Sequence, residues 1–304
     1  MTDEQIAAES AETTDASVQP TDADAAVRAQ AEKKYGKAGR NLPAAIAVGV
    51  GIGAVALLGL LFWEPLFILI VVAAVVAGAR ELFRALRIGG FRPPIFPAYV
   101  GGVAMVLSAY FASAPGLAVA LYVTLVVVVL WRMVGTITRF GSDIAAAVFV
   151  VVYLFLLGGL AVLLLEPDDG KNRMIIFIAV AVSNDVGGYA AGVMFGKHPM
   201  APSISPAKSW EGFVGSVILC TLVASGLMVW LLDASVWTGL VLGPAIAAAA
   251  TTGDFAESMI KRDIGIKDMG SLLPGHGGAL DRLDSLAVAL PVAWLLLTLL
   301  APIS

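Results

Sequence analysis

The chain alternates between long apolar segments and short polar stretches. A helix needs about 20 apolar residues to cross about 30 Å of hydrocarbon, and nine segments meet this length. They span roughly residues 43–63, 65–85, 95–112, 116–133, 143–165, 173–196, 210–232, 237–260 and 279–302. The pattern predicts an all-α fold, a polytopic integral membrane helix bundle with about nine transmembrane helices.

Composition excludes several classes of protein. Of the 304 residues, 59% are apolar and 14% are charged, whereas a soluble domain has about 45–50% apolar and about 25% charged residues. One cysteine, Cys220, excludes an intramolecular disulfide framework, and two histidines, His198 and His276, leave too few ligands for a His/Cys zinc site. The high apolar and low charged fractions therefore exclude an ordinary soluble globular protein and a fibrous repeat. We also expect no nucleic-acid partner.

The pattern divides the chain into three regions. Residues 1–42 form an acidic cytoplasmic tail that ends in a basic collar of lysines and Arg40. The tail cannot bury enough apolar surface to offset its conformational entropy, so we predict that it is disordered. Residues 43–172 hold the first five transmembrane helices, and residues 173–304 hold the last four with their cytoplasmic loops. The residues described below predict that this last region is the catalytic one.

The basic residues predict the orientation in the membrane. With the N-terminus in the cytoplasm, 17 of the 19 lysines and arginines lie inside, and only Lys171 and Arg173 lie outside. Because basic residues concentrate in cytoplasmic loops, we predict an N-in, C-out protein of the cell membrane. A site among the inside loops would then face the cytoplasm.

The most informative residues are acids within the apolar segments. A charge near the bilayer centre costs at least about 2.5–3.5 kcal/mol, and such residues usually face a cavity. Counted from the outer ends at about 1.5 Å per residue, Asp185, Asp254 and Asp281 all fall in the cytoplasmic half. Glu257 and Asp284 lie nearby in the sequence. These acids predict one polar site that opens to the cytoplasm and to the inner leaflet.

The last cytoplasmic loop combines acids, bases and glycines. On helical spacing Asp254 shares a face with Lys261, and Asp281 shares a face with Asp284. The glycines, which let the backbone approach a ligand closely, are Gly275, Gly277 and Gly278. Carboxylates hold Mg²⁺, and lysines and arginines bind phosphates. The loop therefore suits a metal-bound polyphosphate; a charge network at a helix boundary is the alternative.

The loop before the seventh segment offers further candidates. Ser209 is predicted to cap the next helix, whose free amides attract phosphate. Ser205 and Lys208 match the Ser-x-x-Lys pattern of serine hydrolases, but four residues are weak evidence for one. Trp210 is an interfacial anchor, with a stacking platform for a base as the alternative.

Two stretches of the chain resemble phosphatidate cytidylyltransferases, also called CDP-diacylglycerol synthases. Residues 258–284 read S-x-x-K-R-x₄-K-D-x₄-L-P-G-H-G-G-x₂-D-R-x-D, similar to the signature of that family. Residues 184–189 read N-D-x-x-x-Y, and residues 205–212 read S-P-x-K-S-W-E-G, similar to its second conserved region. The resemblance is specific over residues 183–285, while the first five segments match only in being hydrophobic. Ser209 replaces an expected threonine and keeps its hydroxyl.

The resemblance implies a nucleotidyltransferase of phospholipid biosynthesis. Its reaction would be CTP + phosphatidate → CDP-diacylglycerol + pyrophosphate. The resemblance also implies Mg²⁺ dependence, a second cation such as K⁺, and a homodimer embedded in membrane lipid. The residues alone indicate only a metal and phosphate site at the inner leaflet.

The charges and the resemblance together assign roles to residues. Asp254 and Asp281 are assigned to the divalent metal and to catalysis. Lys261 and His276 are the other predicted catalytic residues; His276 positions phosphate, with a general base as the alternative. The residues predicted to bind substrate are Ser205, Lys208, Trp210, Arg262, Lys267, Gly277, Gly278, Asp185 and Asp284.

Three other functions compete with this hypothesis. A transporter would use the intramembrane acids as an ion path, but no inverted repeat is obvious and the acids cluster towards one face of the membrane. A non-enzymatic scaffold would not need this density of charges and glycines. A CTP-dependent kinase of a lipid alcohol is the nearest enzymatic alternative, and the fate of a labelled nucleotide distinguishes it.

Overall fold

The computed structural model describes residues 42–134, 138–270 and 278–301. The chain divides into two units, residues 1–49 and 50–304, and in the first unit the described residues 42–49 are helical. All packing reported below lies within the second unit. The predicted disordered tail and the predicted site residues His276 and Gly277 lie outside the described residues.

Apolar helices make up most of the described chain. They are α1 (Leu42–Phe62), α2 (Glu64–Ile88), α3 (Ile95–Met133), α4 (Phe140–Val150), α5 (Leu157–Leu165), α6 (Gly170–Phe195), α7 (Trp210–Leu232), α8 (Val236–Ile264) and α9 (Leu280–Leu300). A π-helical turn, Val151–Leu156, joins α4 to α5. A short antiparallel hairpin of β1 (Pro199–Ala201) and β2 (Ser205–Ser209) precedes α7.

The prediction of an all-α polytopic membrane bundle is confirmed. Within the described ranges, seven helical spans are long and apolar enough to cross a membrane, α4 and α5 counting as one. The number of nine spans and the N-in orientation stay predictions.

Helix α3 is bent near its middle. Its 39 residues would extend about 58 Å as a straight helix, well beyond the roughly 30 Å of hydrocarbon. Ala112 and Ser113 leave the helical conformation just before Pro115, whose ring cannot continue a helical hydrogen-bond ladder. The break lies where the sequence separates the predicted segments 95–112 and 116–133.

Small residues let the last helices approach closely. The three most extensive helix contacts of the described chain are those of α6 with α7, α7 with α8, and α8 with α9, in that order. A Cβ added to Gly187 would lie 2.7 Å from the carbonyl oxygen of Gly215, and one added to Gly243 would lie 2.6 Å from the amide nitrogen of Thr221. Such contacts are typical of helix pairs in membranes, and they fix α6, α7 and α8 around the polar residues that they carry.

A buried arginine ties the start of α6 to the end of α9. Arg173 is 2% exposed, and its guanidinium donates to the Asp169 carboxylate at 2.6 and 2.9 Å. It also donates to the carbonyl oxygens of Leu297 and Ala301 at 2.7 and 2.5 Å. Because the last carbonyls of a helix have no partner within it, this arginine completes α9 and fixes two site-bearing helices together.

Candidate active site

A polar cavity of about 240 Å³ lies among α6, α7, α8 and the hairpin. It contains three residues that the sequence predicts for the site, Asp185, Lys208 and Asp254. The residues that line it are Asn184, Asp185, Gly188, Tyr189, Gly192, Met200, Ala207, Lys208, Ser209, Gly212, Phe213, Ser216, Thr251 and Asp254. The cavity therefore joins residues 184–189 and 205–212, the two parts of the second conserved region, and adds Asp254 of α8.

The hairpin places Lys208 against α8. The Lys208 ammonium donates to the Asp254 carboxylate, and the side chains of the two residues are 30% and 22% exposed. The same ammonium lies 5.0 Å from the centre of the Phe255 ring, within range of a cation–π interaction. Two neighbouring residues of α8 thus hold one lysine at the wall of the cavity.

The base of the hairpin is closed by hydrogen bonds. Gly212 donates its backbone N–H to the Ser209 hydroxyl at 3.1 Å, which confirms the predicted cap of α7. Glu211 accepts the backbone N–H groups of Lys197 and His198 at 3.1 and 3.2 Å and pairs with the His198 ring at 2.5 Å. These contacts orient the N-terminus of α7 toward the cavity that Ser209 and Gly212 line.

Glycines on α6 form both a helix contact and a wall of the cavity. A Cβ added to Gly188 would lie 2.7 Å from the Ser216 hydroxyl oxygen, and one added to Gly192 would lie 3.8 Å from the Cα of Gly212. Both glycines also line the cavity. A larger side chain at Gly188 would meet the Ser216 hydroxyl, and one at either position would fill part of the cavity.

Asn184 lines the cavity and is almost fully buried. Its side chain is 4% exposed and donates from Nδ2 to Asp185 Oδ1 at 3.1 Å. Its Oδ1 atom is buried and has no hydrogen-bond partner among the described residues. A buried polar atom of this kind is costly unless a ligand or water satisfies it.

A second charged cluster lies between α8 and α9. The Lys261 ammonium lies 2.6 Å from Asp281 Oδ1 and 3.2 Å from Glu257 Oε1, and Glu257 is fully buried. Asp281 Oδ2 accepts the backbone N–H of Gly278 at 2.8 Å. Lys261 therefore sits between two carboxylates, and both oxygens of Asp281 have a donor.

Helix α8 connects the two clusters. Asp254 and Lys261 are seven residues apart, about two helical turns or about 10 Å along the axis. Next to Asp254, Gly253 lies close to α9. A Cβ added to Gly253 would lie 3.1 Å from the Asp284 carbonyl carbon and 3.2 Å from the Cα of Ser285. The backbones of α8 and α9 thus touch beside Asp254, and the two clusters along α8 together form a charged zone.

Glu81 of α2 is a site residue that the sequence interpretation missed. It is 6% exposed, and its Oε2 atom accepts the backbone N–H of Leu280 at 2.9 Å. A Cβ added to Gly278 would lie 2.5 Å from Glu81 Oε2 and 2.9 Å from the Gly270 amide nitrogen. Gly270 and Gly278 therefore meet at this carboxylate. The sequence interpretation missed Glu81 because the arginines near it in the sequence indicate only a cytoplasmic helix end.

The remaining predicted residues lie around these clusters. Arg262 and Lys267 are exposed at and beyond the end of α8. Ser205 lies on β2 and Trp210 is 54% exposed, and neither lines the cavity. Asp284 accepts the backbone N–H of Ser285 at 2.7 Å.

The carboxylates are chemically suited to Mg²⁺. Within the part of the chain that the structure describes, no group of three or more His, Cys, Asp or Glu residues is placed to hold a metal ion. However, Mg²⁺ commonly takes one or two protein carboxylates and completes its shell with water and substrate phosphates. Asp254 and Asp281 fit that donor set, and each contacts a lysine that could equally bind phosphate.

Comparison with known proteins identifies the family. A model of the cytidylyltransferase family matches residues 43–300. A phosphatidate cytidylyltransferase of Mycobacterium leprae is 39% identical over 287 residues, which cover 89% of this chain and 92% of the relative. One from Mycobacterium bovis is 40% identical over 278 residues, covering 87% and 90%.

A more distant relative matches a shorter region. A phosphatidate cytidylyltransferase of Haemophilus influenzae is 41% identical over 133 residues, which cover 41% of this chain and 46% of the relative. The family match and the mycobacterial relatives extend well beyond the region of residues 183–285 that carries the sequence resemblance. The chain therefore belongs to the cytidylyltransferase family of nucleotidyltransferases, as that resemblance predicts.

Proposed function

We propose that the protein is a phosphatidate cytidylyltransferase that converts CTP and phosphatidate to CDP-diacylglycerol and pyrophosphate. The observation that carries this proposal is that α8 contributes to two lysine–carboxylate pairs, Lys208–Asp254 with the hairpin and Lys261–Asp281 with α9. These pairs occur in a chain with about 40% identity to enzymes of that name over most of its length.

The reaction needs charge stabilisation more than it needs a strong base. The phosphate of phosphatidate is an anionic nucleophile, and one of its oxygens attacks the α-phosphorus of CTP. The bond between the α-phosphorus and its bridging oxygen breaks, and pyrophosphate leaves. Because every reacting group is anionic, positioning and electrostatic stabilisation should supply most of the catalysis.

The two aspartates and the lysines that contact them would supply this positioning and charge stabilisation. Asp254 and Asp281 would hold Mg²⁺, which would neutralise charge on the CTP phosphates. Lys208 and Lys261 contact these carboxylates and would bind the phosphate oxygens of the substrates. The identity of a second cation, such as K⁺, stays a prediction from the family resemblance.

The polar cavity is suited to the nucleotide. The N-terminus of α7 borders it, and helix N-termini favour phosphate. The buried Asn184 Oδ1 atom lacks a donor among the described residues, and the 4-amino group of cytosine is such a donor. Arg262 and Lys267, exposed at the end of α8, would attract the anionic nucleotide toward the cavity.

An apolar cavity beside the charged zone is suited to an acyl chain. It has a volume of about 170 Å³ and lies between α2, the α4–α5 span, α6 and α9, with lining residues that include Leu283 and Leu286. Leu283 lies within one helical turn of Asp281 on α9, although on a different face of the helix. A lipid phosphate at the charged cluster could thus keep an acyl chain in apolar surroundings, which favours a lipid substrate.

Activity of the purified protein tests this proposal. With CTP labelled in the cytidine, phosphatidate and Mg²⁺, we expect a labelled product that partitions into chloroform. Removal of divalent cations with EDTA should abolish its formation, since the CTP phosphates would lose their counter-ion. A monodisperse preparation that forms no such product with Mg²⁺ present would refute the assignment.

The chain is a multi-pass membrane protein, and we propose that it resides in the cell membrane as a homodimer with its site facing the cytoplasm. Asp168→Cys and Asp268→Cys test the orientation in a Cys220→Ala background, because both aspartates are exposed whereas Cys220 is buried. An impermeant thiol reagent added outside intact cells should label the cysteine at position 168 only. Labelling at position 268 alone would show the opposite orientation, in which the site lies outside the cell and has no access to cytoplasmic CTP.

A further inference from the structure

A second charged cavity lies at the ends of α2, α3 and α4. It is open, has a volume of about 890 Å³, and shares no lining residue with the polar cavity described above. Four arginines line it, together with one carboxylate, that of Asp143. The arginines are Arg87, Arg92, Arg132 and Arg139.

A buried carboxylate organises this cavity. Asp143 is 1% exposed, and its Oδ1 atom accepts the backbone N–H of Arg92 at 2.7 Å. Its Oδ2 atom accepts from the Arg132 guanidinium at 2.9 and 3.2 Å. The Arg132 guanidinium also donates to the Thr138 carbonyl oxygen at 2.8 Å. One buried group therefore fixes the α2–α3 connection and one arginine in place.

Arg139 is held against the same connection by an unusual backbone conformation. Its φ angle is 58°, in the left-handed region that non-glycine residues seldom adopt. Its guanidinium lies 5.6 Å from the centre of the Phe91 ring. A Cβ added to Gly90 would lie only 3.3 Å from Arg139 Nη1, so glycine at this position lets the guanidinium approach. Strained residues of this kind often mark ligand sites.

Two electrostatic features make the cavity suitable for an anion. Four guanidinium groups face a single carboxylate, which leaves a large excess of positive charge. Helix α4 begins at this cavity, and among the described residues no side chain caps its N-terminus. Arginines and helix N-termini are the two protein features that bind phosphate most readily.

Exposed aromatic residues place the cavity near the level of lipid headgroups. Phe96 and Trp131 are 64% and 53% exposed and lie in contact, with their ring centres 5.5 Å apart. Trp131 directly precedes Arg132, and Phe96 follows Arg92 by four positions. Exposed aromatic residues concentrate at membrane–water interfaces. We propose that the arginine cavity binds the phosphate of an anionic phospholipid headgroup, at a site separate from the active site.

Native mass spectrometry of the detergent-purified protein tests this proposal without CTP or turnover. The wild-type protein should retain phosphatidylglycerol in preference to phosphatidylcholine. The double variant Arg92→Gln/Arg139→Gln should bind phosphatidylglycerol about tenfold or more weakly, because each arginine near an anionic headgroup contributes about a factor of five. Arg84→Gln, an exposed arginine of α2 that does not line the cavity, should bind as the wild type does.

Soluble competitors identify the source of the phosphate. Inorganic phosphate or glycerol 3-phosphate, at the concentration of the lipid, should not displace phosphatidylglycerol; displacement would assign the cavity to a soluble anion and overturn the lipid proposal. Equal retention of phosphatidylglycerol by the double variant and the wild type would also overturn it. If the double variant does not fold, Arg92→Gln alone should weaken binding about fivefold. Cytidylyl transfer in detergent should stay unchanged, so failure of this proposal is distinct from failure of the proposed function.

Discussion

The Asp281→Asn variant should fold normally and lose activity by at least about 100-fold, as is typical when a charge-stabilising group is removed. Asparagine keeps the size of the side chain and one carbonyl acceptor, but it removes the charge that Lys261 and a divalent cation would share. The fold should survive because the Lys261 ammonium retains Glu257 as a counter-ion at 3.2 Å. Steady-state rates and Mg²⁺ titrations of the detergent-purified variant would measure the effect.

Asp263→Asn is the matched control for this experiment. Asp263 lies on the last turn of α8, close in sequence to Lys261, but it is exposed. An exposed charge contributes about 1 kcal/mol or less, so this variant should lose less than about tenfold in rate. A near-normal rate for Asp281→Asn would reject the assignment of Asp281 to the reacting phosphates and their cation.

Glu81→Ala should lower activity by about 10–100-fold, the usual cost of removing a group that positions a metal- or substrate-binding residue. Glu81 accepts the Leu280 backbone N–H and lies where Gly270 and Gly278 meet. Loss of its carboxylate should release the start of α9, which carries Asp281. We therefore expect a rise in the KM for CTP together with a fall in kcat.

Two variants separate this positioning role from a general loss of stability. Glu81→Gln keeps an oxygen acceptor for Leu280 and should recover part of the activity lost in Glu81→Ala. Glu64→Gln, at the opposite end of α2, should leave kcat and KM unchanged. If Glu81→Ala lowers only the melting temperature and leaves both kinetic constants intact, the carboxylate has a structural role alone.

The helices were predictable because each requires a long apolar run that leaves a clear pattern in the sequence. The break in α3 was also predictable, since apolar character is interrupted at the point where Ala112 and Ser113 leave the helix. The hairpin before α7 was not predicted: its strands are only three and five residues long, and their pairing depends on how α6 and α7 bring the ends of the loop together.

The acids of the site were predictable, but their partners were not. Asp254 and Asp281 stood out because a charge within a membrane helix is costly. The sequence interpretation assigns them to a divalent metal, with a charge network as the alternative, and in the structure Asp254 contacts Lys208 and Asp281 contacts Lys261. The choice of lysine depends on the path of the hairpin and on the packing of α8 against α9. Glu81 is 199 residues from its hydrogen-bond partner, and no local pattern reveals that contact.

The position of the label in the lipid product tests the central claim most directly. Purified protein would be incubated with phosphatidate, Mg²⁺ and CTP carrying one label in the cytidine and a different label in the γ-phosphate. Attack on the α-phosphorus predicts that the cytidine label enters the chloroform phase while the γ label leaves in pyrophosphate. Entry of the γ label into the lipid, with cytidine left in the aqueous phase, would instead indicate a CTP-dependent kinase and contradict the assignment.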